Sequence, residues 1–67
     1  MNEFDKVPLE IQASDLLEQI VKVNRMVDLH AEDPFMREEY QALKRDFMQQ
    51  LNTVLRELRL QLTELAA

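Results

Sequence analysis

The stretch Asp33-Pro34-Phe35-Met36 divides the chain into two helices. A proline disfavours helical geometry in the residue before it, and an aspartate followed by a proline is typical of an N-cap and a first helical residue. One helix is therefore expected to end near Ala31, and the next to begin at Pro34. A connection of about three residues leaves little choice but an antiparallel helical hairpin.

The composition favours the same all-α fold. The chain has 67 residues, no glycine and only two prolines, whereas sheet proteins need turn residues at short intervals. This length allows a single domain over residues 1–67, and a lone monomer of this size buries too little surface to be more than marginally stable. Cysteine is absent, so disulfides cannot supply the missing stability and oligomerisation is the expected remedy.

The first helix is predicted over about residues 6–31. Asp5 would cap it, with Pro8 in its first turn and Phe4 packing on Leu9 as a hydrophobic staple; a later start at Ser14-Asp15 is the alternative. Apolar residues then alternate at spacings of four and three, as in the seam of a heptad repeat. These seam positions are Leu9, Ala13, Leu16, Ile20, Val23, Val27 and His30. On the outside, Glu18 and Lys22 form a favourable i,i+4 pair.

The second helix is predicted over about residues 34–65 and carries a matching apolar stripe. The stripe consists of Tyr40, Leu43, Phe47, Leu51, Val54, Leu58, Leu62 and Leu65. Folding the chain at the turn pairs the two stripes with residue numbers that add to 66 or 67 in every layer. The layers are Val27/Tyr40, Val23/Leu43, Ile20/Phe47, Leu16/Leu51, Ala13/Val54 and Leu9/Leu58. Beyond them, Leu62 and Leu65 have only Phe4 to cover them.

Two helices leave one apolar side open. The leftover apolar residues are Leu17, Val21, Met48, Leu55, Leu62 and, less clearly from the pattern, Ile11. A two-fold dimer of hairpins would cover them and complete a four-helix bundle. The predicted dimer or partner interface is Leu17, Val21, Met48, Leu55, Leu58, Leu62 and Leu65.

Charge and hydropathy limit the partners. The net charge is −5, which argues against a general binder of nucleic-acid phosphates, although a local basic face such as Lys44-Arg45 or Arg56 with Arg59 is compatible with it. No apolar run approaches the roughly 20 residues that span a bilayer, and the start of the chain lacks the pattern of a signal peptide. These features together predict a cytoplasmic protein.

Catalytic and metal-binding patterns are weak. The one histidine, His30, lies near Asp28, Glu32, Asp33 and Glu38, a set that suggests either a carboxylate-rich metal site or a hydrated cluster at the turn. The cluster at the turn is the better interpretation, because di-iron bundles use paired Glu-x-x-His motifs and no second histidine exists. Without cysteine, glycine or a hydroxyl beside a histidine and an acid, no nucleophilic site or phosphate loop is expected. We therefore expect no enzyme activity, cofactor or metal.

In length, acidity and hairpin pattern the chain resembles the Rop type of plasmid copy-number regulators, which are dimeric hairpins that bind RNA. The resemblance includes no shared motif, so no binding residues are transferred. Small hairpin co-chaperones of type III secretion are a second architectural analogy. It implies that another helical protein covers Leu55, Leu58, Leu62 and Leu65. The leading hypothesis is a non-enzymatic interaction or assembly module that acts as a homodimer; a hetero-oligomeric regulator and an RNA-binding dimer are the alternatives.

Overall fold

The chain folds as an antiparallel hairpin of two helices, as the sequence predicts. The structure is a computed structural model that describes residues 7–66, with the side chains of 7–65. Helix α1 spans Leu9–Leu29 and helix α2 spans Pro34–Ala66. The described residues contain no strand, and the hairpin measures 50 × 27 × 14 Å along its principal axes. Because α1 has 21 residues and α2 has 33, α2 continues beyond the end of α1 that is remote from the turn.

Helix α2 begins where the sequence predicts, and Asp33 caps it. The Asp33 Oδ1 atom accepts a hydrogen bond from the Met36 backbone N–H at 3.2 Å, and its carbonyl accepts the first intrahelical bond from Arg37 at 2.9 Å. Pro34 follows as the first helical residue, where the N–H that it lacks would have had no helical partner. The predicted N-cap and proline start are confirmed.

Replacing the cap should lower stability by a measurable amount. Asp33→Ala leaves the Met36 amide without its acceptor, so the free energy of unfolding should fall by about 1 kcal/mol. In a domain of this size that corresponds to a midpoint lower by roughly 4–8 °C in a thermal melt followed by circular dichroism at fixed protein concentration. Asp33→Asn should melt close to the wild type, since asparagine caps equally well. Equal loss in both variants would mean that the charge matters and the hydrogen bond does not.

Helix α1 begins three residues later than predicted. Pro8 has φ −55° and ψ 145°, which is not helical, and its carbonyl accepts the first bonds of the helix from Ile11 and Gln12, both at 3.0 Å. The Gln12 side chain also reaches back to the Val7 carbonyl at 2.8 Å. A helix begun at Asp5 would need helical geometry at Val7, which the ring of the following proline disfavours. The predicted cap at Asp5 and the staple from Phe4 lie outside the described residues.

Helix α1 ends at Leu29, two residues before the predicted boundary. The His30 amide still bonds to the Met26 carbonyl, and its own carbonyl accepts from Asp33 N–H, each at 3.0 Å. The His30 ring stacks on Tyr40 with centroids 5.4 Å apart and an interplanar angle of 18°. The turn is thus closed by an aromatic contact between the last layer of one helix and the first of the next.

The core is a single row of side chains along the seam. Ala13, Leu16, Leu51 and Val54 form the buried cluster, and Leu9, Ile20, Phe47 and Leu58 pack against it. These eight residues are the members of four consecutive predicted layers. Val23 is also buried, but its predicted layer mate Leu43 is 42% exposed. Leu43 comes eight residues before Leu51, with Phe47 midway between them. Eight residues rotate a helix by about 80° more than two full turns, so Leu43 is turned by that angle away from the direction of Leu51.

This core is shallow. Among the described residues no side chain is less than 2% exposed, and no polar or charged side chain is buried. Each buried residue is covered by one neighbouring helix only, so its outer edge remains close to water. Burial of apolar side chains therefore contributes little to the stability of the hairpin, and many of its large apolar side chains are exposed to water.

Candidate interaction surface

One broad face of the hairpin carries an apolar stripe from each helix. On α1, Leu17 and Val21 each follow a seam residue by one position; on α2, Met48 and Leu55 do the same. Because both helices are right-handed and run in opposite directions, one step forward from the seam leads to the same side of the hairpin on each. We call this side the open face. Its members are Glu10, Ser14, Leu17, Val21, Asn24 and Asp28 on α1, and Arg37, Gln41, Lys44, Met48, Asn52, Leu55, Arg59 and Leu62 on α2.

The seven predicted interface residues divide between two places. The open face holds five of them, all exposed, and these are Leu17, Val21, Met48, Leu55 and Leu62. The other two continue the seam of α2. Leu58 is half-buried against the core cluster, so part of its surface is already used within the hairpin. Leu65 is 83% exposed, on the length of α2 that extends past Leu9.

Other exposed apolar residues lie away from the open face. Ile11 follows Leu9 by two positions and therefore lies on the far side of α1 from α2. It does not share the open face, so the prediction that Ile11 belongs to the open apolar side is wrong. Leu29 and Phe35 flank the turn, and Leu60 is exposed as its position off the stripe predicts. Single exposed apolar residues of this kind are ordinary in folded proteins.

The opposite broad face is mainly polar. A groove between the helices there is lined by Gln12, Gln50 and Thr53 above the seam residues Leu16 and Val54. The groove has amide and hydroxyl groups at its edges and an apolar floor, and Leu43 is the exposed apolar side chain that the break in the seam turns to this side. The two faces therefore differ, and the open face is the side on which apolar surface would be gained by association.

The charges of the open face are separated by helix, a feature that the sequence analysis missed. Its α1 side carries only acids, Glu10 and Asp28, whereas its α2 side carries only bases, Arg37, Lys44 and Arg59. The signal was available for Glu10, Asp28 and Arg59, because each of them follows a seam position by one. Arg59 also lines a surface depression together with Leu55 and Asn52, which places a cation directly beside the apolar stripe.

The remaining polar groups within residues 7–65 bond mainly within their own helix or lie in water. The Thr53 and Thr63 hydroxyls donate to carbonyls of their own helix, at 3.1 and 2.9 Å. No three acid, histidine or cysteine side chains among the described residues are grouped as a metal site would require. The predicted pair of Glu18 and Lys22 forms at 3.6 Å and is well exposed, so it adds little stability.

The hydropathy of the two helices bears on whether either of them could cross a bilayer. In the part of the chain that the structure describes, neither helix has a stretch both long and apolar enough for a membrane span. Comparison of the chain with protein-family models, with curated proteins and with solved structures finds no match.

Proposed function

We propose that the protein is a non-enzymatic assembly module that pairs with a second copy of itself through the open face. The observation that supports this is the exposed apolar stripe of Leu17, Val21, Met48 and Leu55 beside a core in which no described side chain is fully buried. A two-fold axis would bring the stripe of one hairpin onto that of another and form a four-helix bundle. Both copies would then gain the second layer of cover that the hairpin lacks.

The open face is large enough for a stable dimer. Along α1 the two helices lie side by side for about 31 Å, and together they are roughly 20 Å wide. Each copy would therefore bury on the order of 600 Å², or about 1,200 Å² in total, which reaches the range of specific protein interfaces.

A substitution on the open face should separate the subunits while leaving the hairpin folded. Leu55→Glu removes an apolar contact twice per dimer and buries a charge in its place. Sedimentation through the micromolar range should show a dimer for the wild type and about a hundredfold weaker association for the variant. Glutamate is a good helix former, so the circular dichroism spectrum at high concentration should keep its helical shape.

Ile11→Glu is the matched control. Ile11 and Leu55 are equally exposed, at 47% and 46%, but Ile11 lies off the open face. Ile11→Glu should sediment as the wild type does. A fully folded monomeric wild type at micromolar concentration would overturn the proposal, and so would equal weakening by the two substitutions.

A second candidate function is a regulator that docks a different helical protein on the end of α2. The observation in its favour is that Leu60, Leu62 and Leu65 are all exposed within the last described turns. Here Leu60→Asp together with Leu65→Asp, both outside the open face, should remove a partner from pull-downs with the native host, while Leu55→Glu retains it. The opposite pattern would favour self-pairing through the open face.

A further inference from the structure

We propose that the two copies associate with both turns at the same end of the bundle, so that Glu10 of one copy faces Arg59 of the other. This inference rests on the proposed function, and it specifies the partner and its orientation. Two hairpins stacked face to face about a two-fold axis have only two arrangements. The axis runs either along the helices, with the turns at the same end, or across them, with the turns at opposite ends.

The same-end arrangement places α1 of each copy on α2 of the other. Residues then meet at the level that they already share within one hairpin, since the axis does not shift them along the bundle. Val21 meets Met48 of the partner subunit, and the acid Glu10 meets the base Arg59 of the partner subunit. At the turn end, Asp28 lies within two residues of the level of Arg37 of the partner subunit. The acidic side of each open face therefore lies on the basic side of the other.

The opposite-end arrangement places each helix on its own copy. Matching the apolar residues of α1 then puts Leu17 opposite the partner's Val21, and on α2 the same axis position puts Met48 opposite the partner's Met48. The same register brings Glu10 against the partner's Asp28, since seven residues separate Glu10 from Leu17 and Val21 from Asp28. On the other helix pair it brings Arg37 against the partner's Arg59. The contacts at all four corners are then between like charges, which disfavours this arrangement.

No ion pair among the described residues already uses these charges, since the one present there joins Glu18 and Lys22. Exposed pairs stabilise weakly in isolation, but the two arrangements differ at four corners at once. Orientation is decided by this difference, whereas the apolar stripe supplies most of the affinity in both.

Charge reversal tests the contact between Glu10 and Arg59. At low salt, Glu10→Arg and Arg59→Glu should each weaken the homodimer by about fivefold or more, because each creates two like-charge contacts. An equimolar mixture of the two variants should form heterodimers in preference to either homodimer. One subunit then carries both cations and the other both anions, so both contacts are restored. If a substitution weakened the dimer by damaging the fold of its own chain, mixing the two variants would not restore the association.

The orientation itself can be measured by a distance. The chain has no cysteine, so Glu32→Cys in the exposed turn gives a single site for a spin label on each copy. The same-end arrangement predicts a label separation on the order of 20 Å, since neighbouring helices lie about 10 Å apart. The opposite-end arrangement predicts about 40 Å, because Glu32 of each copy then lies 13 residues, or roughly 20 Å, along the bundle from an axis level with residue 19.

The outcomes separate this proposal from the one on which it rests. A dimer with short label distances and preferential mixing supports both. A dimer with distances near 40 Å, or one that the single reversals tighten, overturns the orientation and retains the self-pairing. A wild type that remains monomeric throughout shows that self-pairing itself is wrong, and the orientation with it.

Discussion

Leu16→Ala should lower the free energy of unfolding by about 2–4 kcal/mol, the range for truncating a large side chain in a core. Leu16 is at the centre of the buried cluster with Leu51, and no other element covers that layer. Domains of this length have a total stability of roughly 3–10 kcal/mol. A single truncation should therefore remove a large part of it, and the midpoint of urea unfolding should fall accordingly.

Leu29→Ala is the matched control for this truncation. It removes the same atoms from the same helix, but Leu29 is 70% exposed. Its unfolding midpoint should stay near that of the wild type, with a change within about 0.5 kcal/mol. Similar losses in the two variants would show that the seam is not the source of stability. All measurements need one protein concentration, because association shifts the apparent stability.

Val54→Asp should unfold the hairpin at neutral pH. Val54 is 8% exposed and packs in the cluster of Ala13 and Leu16, whose described members are all apolar. Burying an unpaired charge costs several kcal/mol, which is comparable with the whole stability of the domain. The helical signal in circular dichroism should fall to that of a largely unfolded chain.

Thr53→Asp is the matched control, because it introduces the same charge into the same turn of α2 at an exposed position. Thr53 is adjacent and exposed, and its hydroxyl bonds only to the Gln49 carbonyl. The variant should keep the helical signal and melt within a few degrees of the wild type. A folded Val54→Asp variant would contradict the assignment of residue 54 to the core.

The parts of the fold that the sequence predicted correctly are those set by local chemistry or by a long repeat. Asp33 and Pro34 decide the turn through rules that involve only neighbouring atoms. The seam repeats over several layers, so errors at single positions do not alter it. Leu43 was placed wrongly because the seven-residue repeat treats spacings of three and four as equivalent, whereas two spacings of four in succession rotate a residue out of the seam.

The start of α1 was placed too early because the restriction that a proline imposes on the preceding residue was applied at Asp33 and not at Val7. The apolar residues of the open face could be predicted from the sequence, because they are the apolar residues of each helix that remain once the seam has been assigned. Leu58 and Leu65 continue the seam of α2 and do not lie on the open face, a distinction that appears only when the angle of each residue around the helix is considered. The charge pattern of Glu10 and Arg59 was missed, since it emerges only when both helices are placed side by side.

The shallow interior has a consequence for the amount of protein that a cell would hold. A subunit whose buried side chains form one row has few contacts to lose when a helix end opens, so local opening exposes its backbone readily. Proteases act on such open forms in proportion to their population. If the hairpin pairs as proposed, proteases would cut paired copies slowly and unpaired copies quickly. Surplus chains would thus be removed, and the steady-state level would depend on pairing more than on the rate of synthesis.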